Sequence, residues 1–377
     1  MTHLLFLLFC SPALPIDTLD AEVCVTTSAI NPLRVTAHTG MKPQSKLWKY
    51  RDTWWGVFSD STGTHIWRLE ENRWQRSLGI SSDTDVRADV LASGDLVEIL
   101  LFRGVESSLI RCMQWDRDDG HTISLDHQTP VKLDEGVETA TMARDDNGRL
   151  WIASDGETTI HARWIEKGAD AVSGSLVLAE GVSKDDICVI TSLQDGSVGV
   201  LWSNQNAQRY GFRRHVGSSN PDEWFPDEIP ASASAIDHGD GMSDDHLNVA
   251  VGSDGTLYAT VKTSYDTEGM PLVATLVRRP YGRWDPLYHV DDEGSRGILI
   301  LDESKEIFLV VYTSYRDQSI VLKRSHTDSI SFHNRVTLLK RDRINNVGAT
   351  RQNVSGSFPI VATQGDSLMH TILVELK

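Results

Sequence analysis

The chain holds 377 residues, with 53 acidic side chains against 36 basic ones and a formal net charge of −17. A surface this acidic argues against nucleic acid or an anionic membrane as partner and speaks first of solubility. Four cysteines without a Cys-x-x-Cys pair indicate neither a disulfide scaffold nor a zinc site, and Cys112 and Cys188 read as buried apolar fillers in strand-like runs.

The first residues, MTHLLFLLFCSPALP, form an apolar run ending in small residues and prolines. That is the form of a signal-peptide core and cleavage zone, and it is too short to cross a bilayer. Residues 1–21 are therefore expected to be a signal peptide on a secreted, periplasmic or cell-surface protein. No Pro/Gly/Ser-rich linker divides residues 22–377, which are expected to form one monomeric domain without a membrane span. Leu33–His38 (LRVTAH) then reads as a strand with no neighbour of its own. Four strands follow it at Ser45–Tyr50, Trp54–Ser59, Thr64–Leu69 and Arg73–Leu78.

From there one phrase recurs to the end of the chain. It stands as GRLWIAS at Gly148–Ser154, GSVGVLWS at Gly196–Ser203 and GTLYATV at Gly255–Val261. Looser copies are Asp52–Ser59, Gly94–Phe102 and Lys305–Thr313. Each copy follows another apolar run, often across an Asp-Gly, Asn-Gly or Ser-Gly turn. The first strands of these units begin near Lys46, Asp85, Val137, Asp185, Asp245, Arg296 and Val347, spaced 39 to 60 residues apart. This spacing suits four short strands per unit and predicts an all-β, seven-bladed propeller of four-stranded antiparallel blades. The last unit has only Val347–Val354, Pro359–Thr363 and Met369–Leu376, so Leu33–His38 is expected to supply its fourth strand and close the ring. Six blades are the alternative, with the final segment as a lid.

The strand phrases, together with Ser325-His-Thr-Asp328-Ser-Ile-Ser-Phe332 between two strands, resemble the sialidase-like (BNR, or Asp-box) propeller superfamily. The usual box reads Ser-x-Asp-x-Gly-x-x-Trp. Here the Asp sits one place late, Gly is missing and Phe replaces Trp. The resemblance implies a propeller more than an activity. A sialidase would need three arginines on one carboxylate, and Arg87, Arg296 and Arg351 head three first strands, but the family's early Arg motif is not recognisable.

In a propeller the starts of first strands and the ends of second strands meet around one funnel. Carboxylates placed there include Glu138, Asp186 and Asp89, the types a glycosidase needs in a facing pair. Asp244-Asp245-His246-Leu-Asn248 heads the fifth unit, and Lys262-Thr-Ser-Tyr265-Asp266 closes its second strand. Leu201-Trp202-Ser203-Asn204-Gln205 ends the fourth unit's second strand next door. His246 and Tyr265 could move protons, with Lys262 or Arg296 neutralising a uronate carboxylate, as in a polysaccharide lyase. Arg87, Asn204, Gln205, Asp245 and Trp202 are candidate substrate contacts, since amides and indole suit sugar hydroxyls and faces. The expected activity is that of a glycoside hydrolase or lyase on a carbohydrate, without metal or cofactor. The rival is a non-catalytic binding propeller.

Overall fold

The computed structural model describes residues 30–40, 42–116, 118, 122–232, 241–365 and 367–376. The signal-peptide reading of residues 1–21 lies outside them, as do Cys10 and Cys24.

Seven antiparallel sheets follow one another along the chain and close into a ring. First strands run Leu47–Tyr50, Arg87–Ser93, Ala140–Arg144, Cys188–Ser192, Leu247–Val251, Ser295–Asp302 and Ile344–Gly348. Those of successive blades pack on one another around the axis. The last blade is composite. Its fourth strand is Leu33–Arg34, whose two residues pair with Met369 and Leu368 of the C-terminal strand. Two strands far apart in sequence thus share the last blade and close the ring, pairing over two residues.

Blade four departs from the four-strand ladder. Its three strands end at Arg209–His215, and the fourth place is taken by residues around Glu228, which exchange two backbone hydrogen bonds with Phe212. Glu228 is fixed by blade five, where Arg278 grips both its oxygens and the Trp284 indole N–H donates to it at 2.7 Å. Blade seven begins three residues before Val347, because its register shifts between Asn345 and Gly348.

Apolar clusters fill the wedges between blades. The one between blades four and five gathers Ile187, Leu201, Tyr210, Leu247 and Val261. Tryptophans fill others, with Trp48, Trp55, Trp115 and Trp151 almost wholly buried. Truncating one of these to Ala would cost about 3–5 kcal/mol.

Candidate functional site

The starts of five first strands converge, as the phasing of the repeat predicts. A cavity of about 240 Å³ on the axis is lined by Arg87, Glu138, Asp185, Asp245 and Arg296, one from each of blades two to six, with His38, Lys42 and Gln44 from the segment that enters blade one. A larger cleft of about 890 Å³ shares His38, Arg87 and Glu138 with it and runs outward over blade two past Asp83, Asp85 and Arg103.

Lys42 stands between two carboxylates. Its Nζ lies 2.6 Å from Glu138 Oε2 and 3.0 Å from Asp245 Oδ2, so those two oxygens are no further apart than 5.6 Å. Burial works against the ammonium charge, but Asp245 and Glu138 outweigh it and raise the Lys42 pKa. Asp185 faces the same charges from blade four. Burial, then Asp245, pushes its carboxyl pKa up, and Lys42 only partly offsets this.

Behind Asp245 runs a chain of donors and acceptors. The His246 Nδ1 is 2.5 Å from Asp245 Oδ1, and Arg296 Nη1 is 3.1 Å from His246 Nε2. Arginine has no acceptor, so Nε2 must be the unprotonated nitrogen and the ring a neutral imidazole donating from Nδ1. Its surroundings agree. Burial lowers the His246 pKa, and Arg296 and Lys42 add to this against the pull of Asp245. Asp245 is itself held well below the usual carboxylate range, since the His246 N–H, Asp244 and Lys42 override the cost of burial.

Arg296 owes its aim to the backbone. The register of blade six shifts between Ser295 and Ile298, and Arg296 takes φ +58°, a left-handed value that side chains rarely adopt. The next residue must be small, because a Cβ on Gly297 would meet Thr260 Oγ1 at 2.9 Å. This bulge turns the guanidinium toward the cavity, where its Nε–H also donates to Tyr315 Oη at 3.2 Å. Burial opposes ionisation of that phenol, yet the Arg296 hydrogen bond and charge carry its pKa below the ordinary value.

Other candidates fall into supporting places. Lys262 sits beside the chain, 2.8 Å from Asp244 Oδ2 and 3.7 Å from Asp245 Oδ1. Arg87 lines the cavity and donates to the Glu138 carbonyl at 2.9 Å. Asp186 is fully buried and accepts from the backbone N–H groups of Ser183 and Gln205 and from Gln205 Nε2, so both residues brace a turn. Asn204 Oδ1 closes that turn on Ala207 N–H. Trp202 packs between blades three and four, over Gly211, rather than in the funnel. Tyr265 turns into the apolar wedge of blades four and five, where burial raises its pKa. Arg351 pairs with Asp89, so it does not join Arg87 and Arg296. Residues missed in the sequence are Lys42, His38 and Tyr315. Lys42 and His38 lie in a segment with no strand phrase to phase them. Tyr315 stands two places past the Lys305–Thr313 phrase and was within reach of the same reasoning.

Two buried groups set the floor. Asp155 accepts the backbone N–H groups of Glu138 and Thr139, and burial pushes its carboxyl pKa up to about 7 against them. Lys46 donates to the His38 carbonyl at 2.9 Å, and burial, helped by Arg87, takes its pKa down to about 8. Asp244, Asp245 and His246 have the spacing of metal ligands. Two lysine ammonium groups already meet that charge, however, and both ring nitrogens are engaged.

No family model matches the chain, and no curated protein matches it. Solved structures match in fold. A protein from Lactobacillus plantarum aligns with a TM-score of 0.53 at 13% identity, over 78% of this chain and 84% of its own. A prolyl endopeptidase aligns at 0.50 and 12%, over 91% of this chain but only 52% of its own. The polysaccharide lyase Uly1 aligns at 0.49 and 8%, over 97% and 94%. Likeness at this identity shows the propeller alone. The seven-bladed propeller that the sialidase-like resemblance implies is present, but no match supports that superfamily itself. In the segment Ser325–Phe332, Ser325 and His326 end the third strand of blade six and the rest begins the connection to the fourth, with Phe332 edge-on to Phe308 at 5.5 Å.

Proposed function

We propose that the protein is an exported glycan-active enzyme that binds an acidic polysaccharide across the funnel and cleaves it by β-elimination. One observation carries this reading: Arg296 is held at the cavity by two proton-bearing groups, His246 and Tyr315, without spending its whole fork. Of the five N–H donors of a guanidinium, one goes to the imidazole and one to the phenol. Among the described residues nothing takes the other three, which can grip a uronate carboxylate and stabilise the negative charge that builds on it as the neighbouring carbon loses its proton.

The Tyr315 phenolate takes the C5 proton, the freed electron pair forms the C4–C5 double bond, and the C4–O bond breaks. The resulting phenol returns a proton to the leaving oxygen. His246 and Asp245 position Arg296 throughout. The cleft over blade two supports a polymer rather than a monosaccharide as substrate. Export rests on the apolar N-terminal run.

A second reading has its own observation. Glu138 and Asp245, with oxygens at most 5.6 Å apart, stand too close for an inverting glycosidase pair, about 6.5–9.5 Å, and leave the retaining arrangement, about 5–5.5 Å, as the hydrolytic one. Lys42 clamps both, which favours the first. Incubation with acidic and neutral polysaccharides separates them: elimination yields reducing ends together with unsaturated-uronate absorbance, and hydrolysis yields reducing ends alone. Tyr315→Phe is expected to lower elimination by about 10²–10⁴-fold, and Tyr265→Phe to leave it unchanged. An unaltered Tyr315→Phe, or binding of polysaccharide with no product from any, would overturn the elimination reading.

A further inference from the structure

The outer half of blade two carries a second cluster, none of whose members lines the funnel. Its third strand, Ser108–Trp115, and fourth, Ile123–Val131, pair Cys112 with His127, but the next pair is Met113 with Leu125. Asp126 is therefore the extra residue of a β-bulge. In a regular strand Asp126 and His127 would point to opposite faces. Here both reach the thiol: a His127 ring nitrogen, an Asp126 carboxylate oxygen and Cys112 Sγ all lie within 4.8 Å of one another. The thiol is buried, while the imidazole and carboxylate are about half exposed.

Donor atoms around a tetrahedral ion with bonds of about 2.0–2.3 Å stand about 3.3–3.8 Å apart. His127 Nδ1 and Asp126 Oδ2 are already 2.9 Å apart, and both side chains are half exposed, so they have room to turn toward a shared ion. The donor set decides the kind of ion. Calcium and magnesium take oxygen ligands, whereas one sulfur, one imidazole nitrogen and one carboxylate oxygen suit a borderline ion of the zinc type. Glu98 stands across the sheet from Cys112 but is bonded to Arg144 of blade three, which places it beside the site rather than among the ligands.

We propose that Cys112, Asp126 and His127 form a site for a divalent transition-metal ion of the zinc class, clasping the two outer strands of blade two. It is independent of the funnel and of its chemistry. The test is a Co²⁺ titration of the chelator-treated full chain. One equivalent is expected to produce a thiolate-to-cobalt charge-transfer band and tetrahedral ligand-field bands, which Zn²⁺ then bleaches. Cys112→Ser should abolish the charge-transfer band. His127→Ala and Asp126→Asn, surface changes that spare the fold, should each weaken binding at least tenfold. A wild-type protein without the band, a band that survives Cys112→Ser, or unweakened binding by both surface variants would overturn the site. Polysaccharide turnover is expected to be equal in wild type and Cys112→Ser, so its failure and that of the funnel reading are read separately.

Discussion

Two aspartate–arginine assemblies stand near the axis, and they are put to opposite uses. Asp89 has no solvent exposure; its oxygens accept from the backbone N–H groups of Ser45 and Met142 and from Arg351, which also donates to the Met142 carbonyl. The bonds of Asp89 and the two Arg351 donations join blades one, two, three and seven, and neither side chain lines the cavity. Asp245 instead holds a histidine that holds Arg296, and the arginine keeps donors free at a cavity. The same pair of side chains is mortar where backbone amides saturate it and a site where they do not. A charged residue on a propeller axis is therefore judged by whether it faces a cavity and by how far backbone amides saturate its partner.

The largest expected break in this comparison is Asp89→Ala. It strands the Arg351 charge and two amides, and should cost about 3–5 kcal/mol in denaturant unfolding. Asp245→Ala, at a carboxylate that water can reach, should cost markedly less; equal losses would erase the distinction. Next comes Arg296→Lys, which keeps the charge but loses the fork. Polysaccharide turnover should fall by about 10²-fold with little change in melting temperature, and Arg351→Lys should do the reverse.

The smallest effect is that of pH. The His246 pKa is lowered in the fold, so below about pH 6.5 the unfolded chain takes up a proton that the folded chain refuses. Stability is thus lost as pH falls from about 6.5 toward the folded value. His246→Gln should flatten that slope in melting curves from pH 7.5 to 5, while a variant at Arg351, which has no histidine partner, should leave it unchanged.

The ring was legible because its signal repeats: six copies of a second-strand phrase, each following another apolar run, marked off the blades, and the last blade's missing strand had one vacant candidate. The site was legible only as far as strand phase reached. Glu138, Asp245, His246 and Arg296 stand at or next to strand starts, where position decides direction. Tyr265 lies three residues past the strand end at Lys262, where alternation no longer applies, and it turned into the core. Lys42 was beyond phasing altogether, and the bulges that aim Arg296 and His127 leave no mark in composition.

The composite seventh blade couples the site to closure of the ring. Leu33 meets Met369 only when nearly the whole chain is present, and the segment running on from that joint delivers Lys42 to Glu138 and Asp245. The lysine of the funnel is therefore tied to the strand pairing that closes the ring, a contact of very large sequence separation. A molecule with six good blades and an open seam keeps most of its core but lacks its central lysine, so chemistry waits on closure.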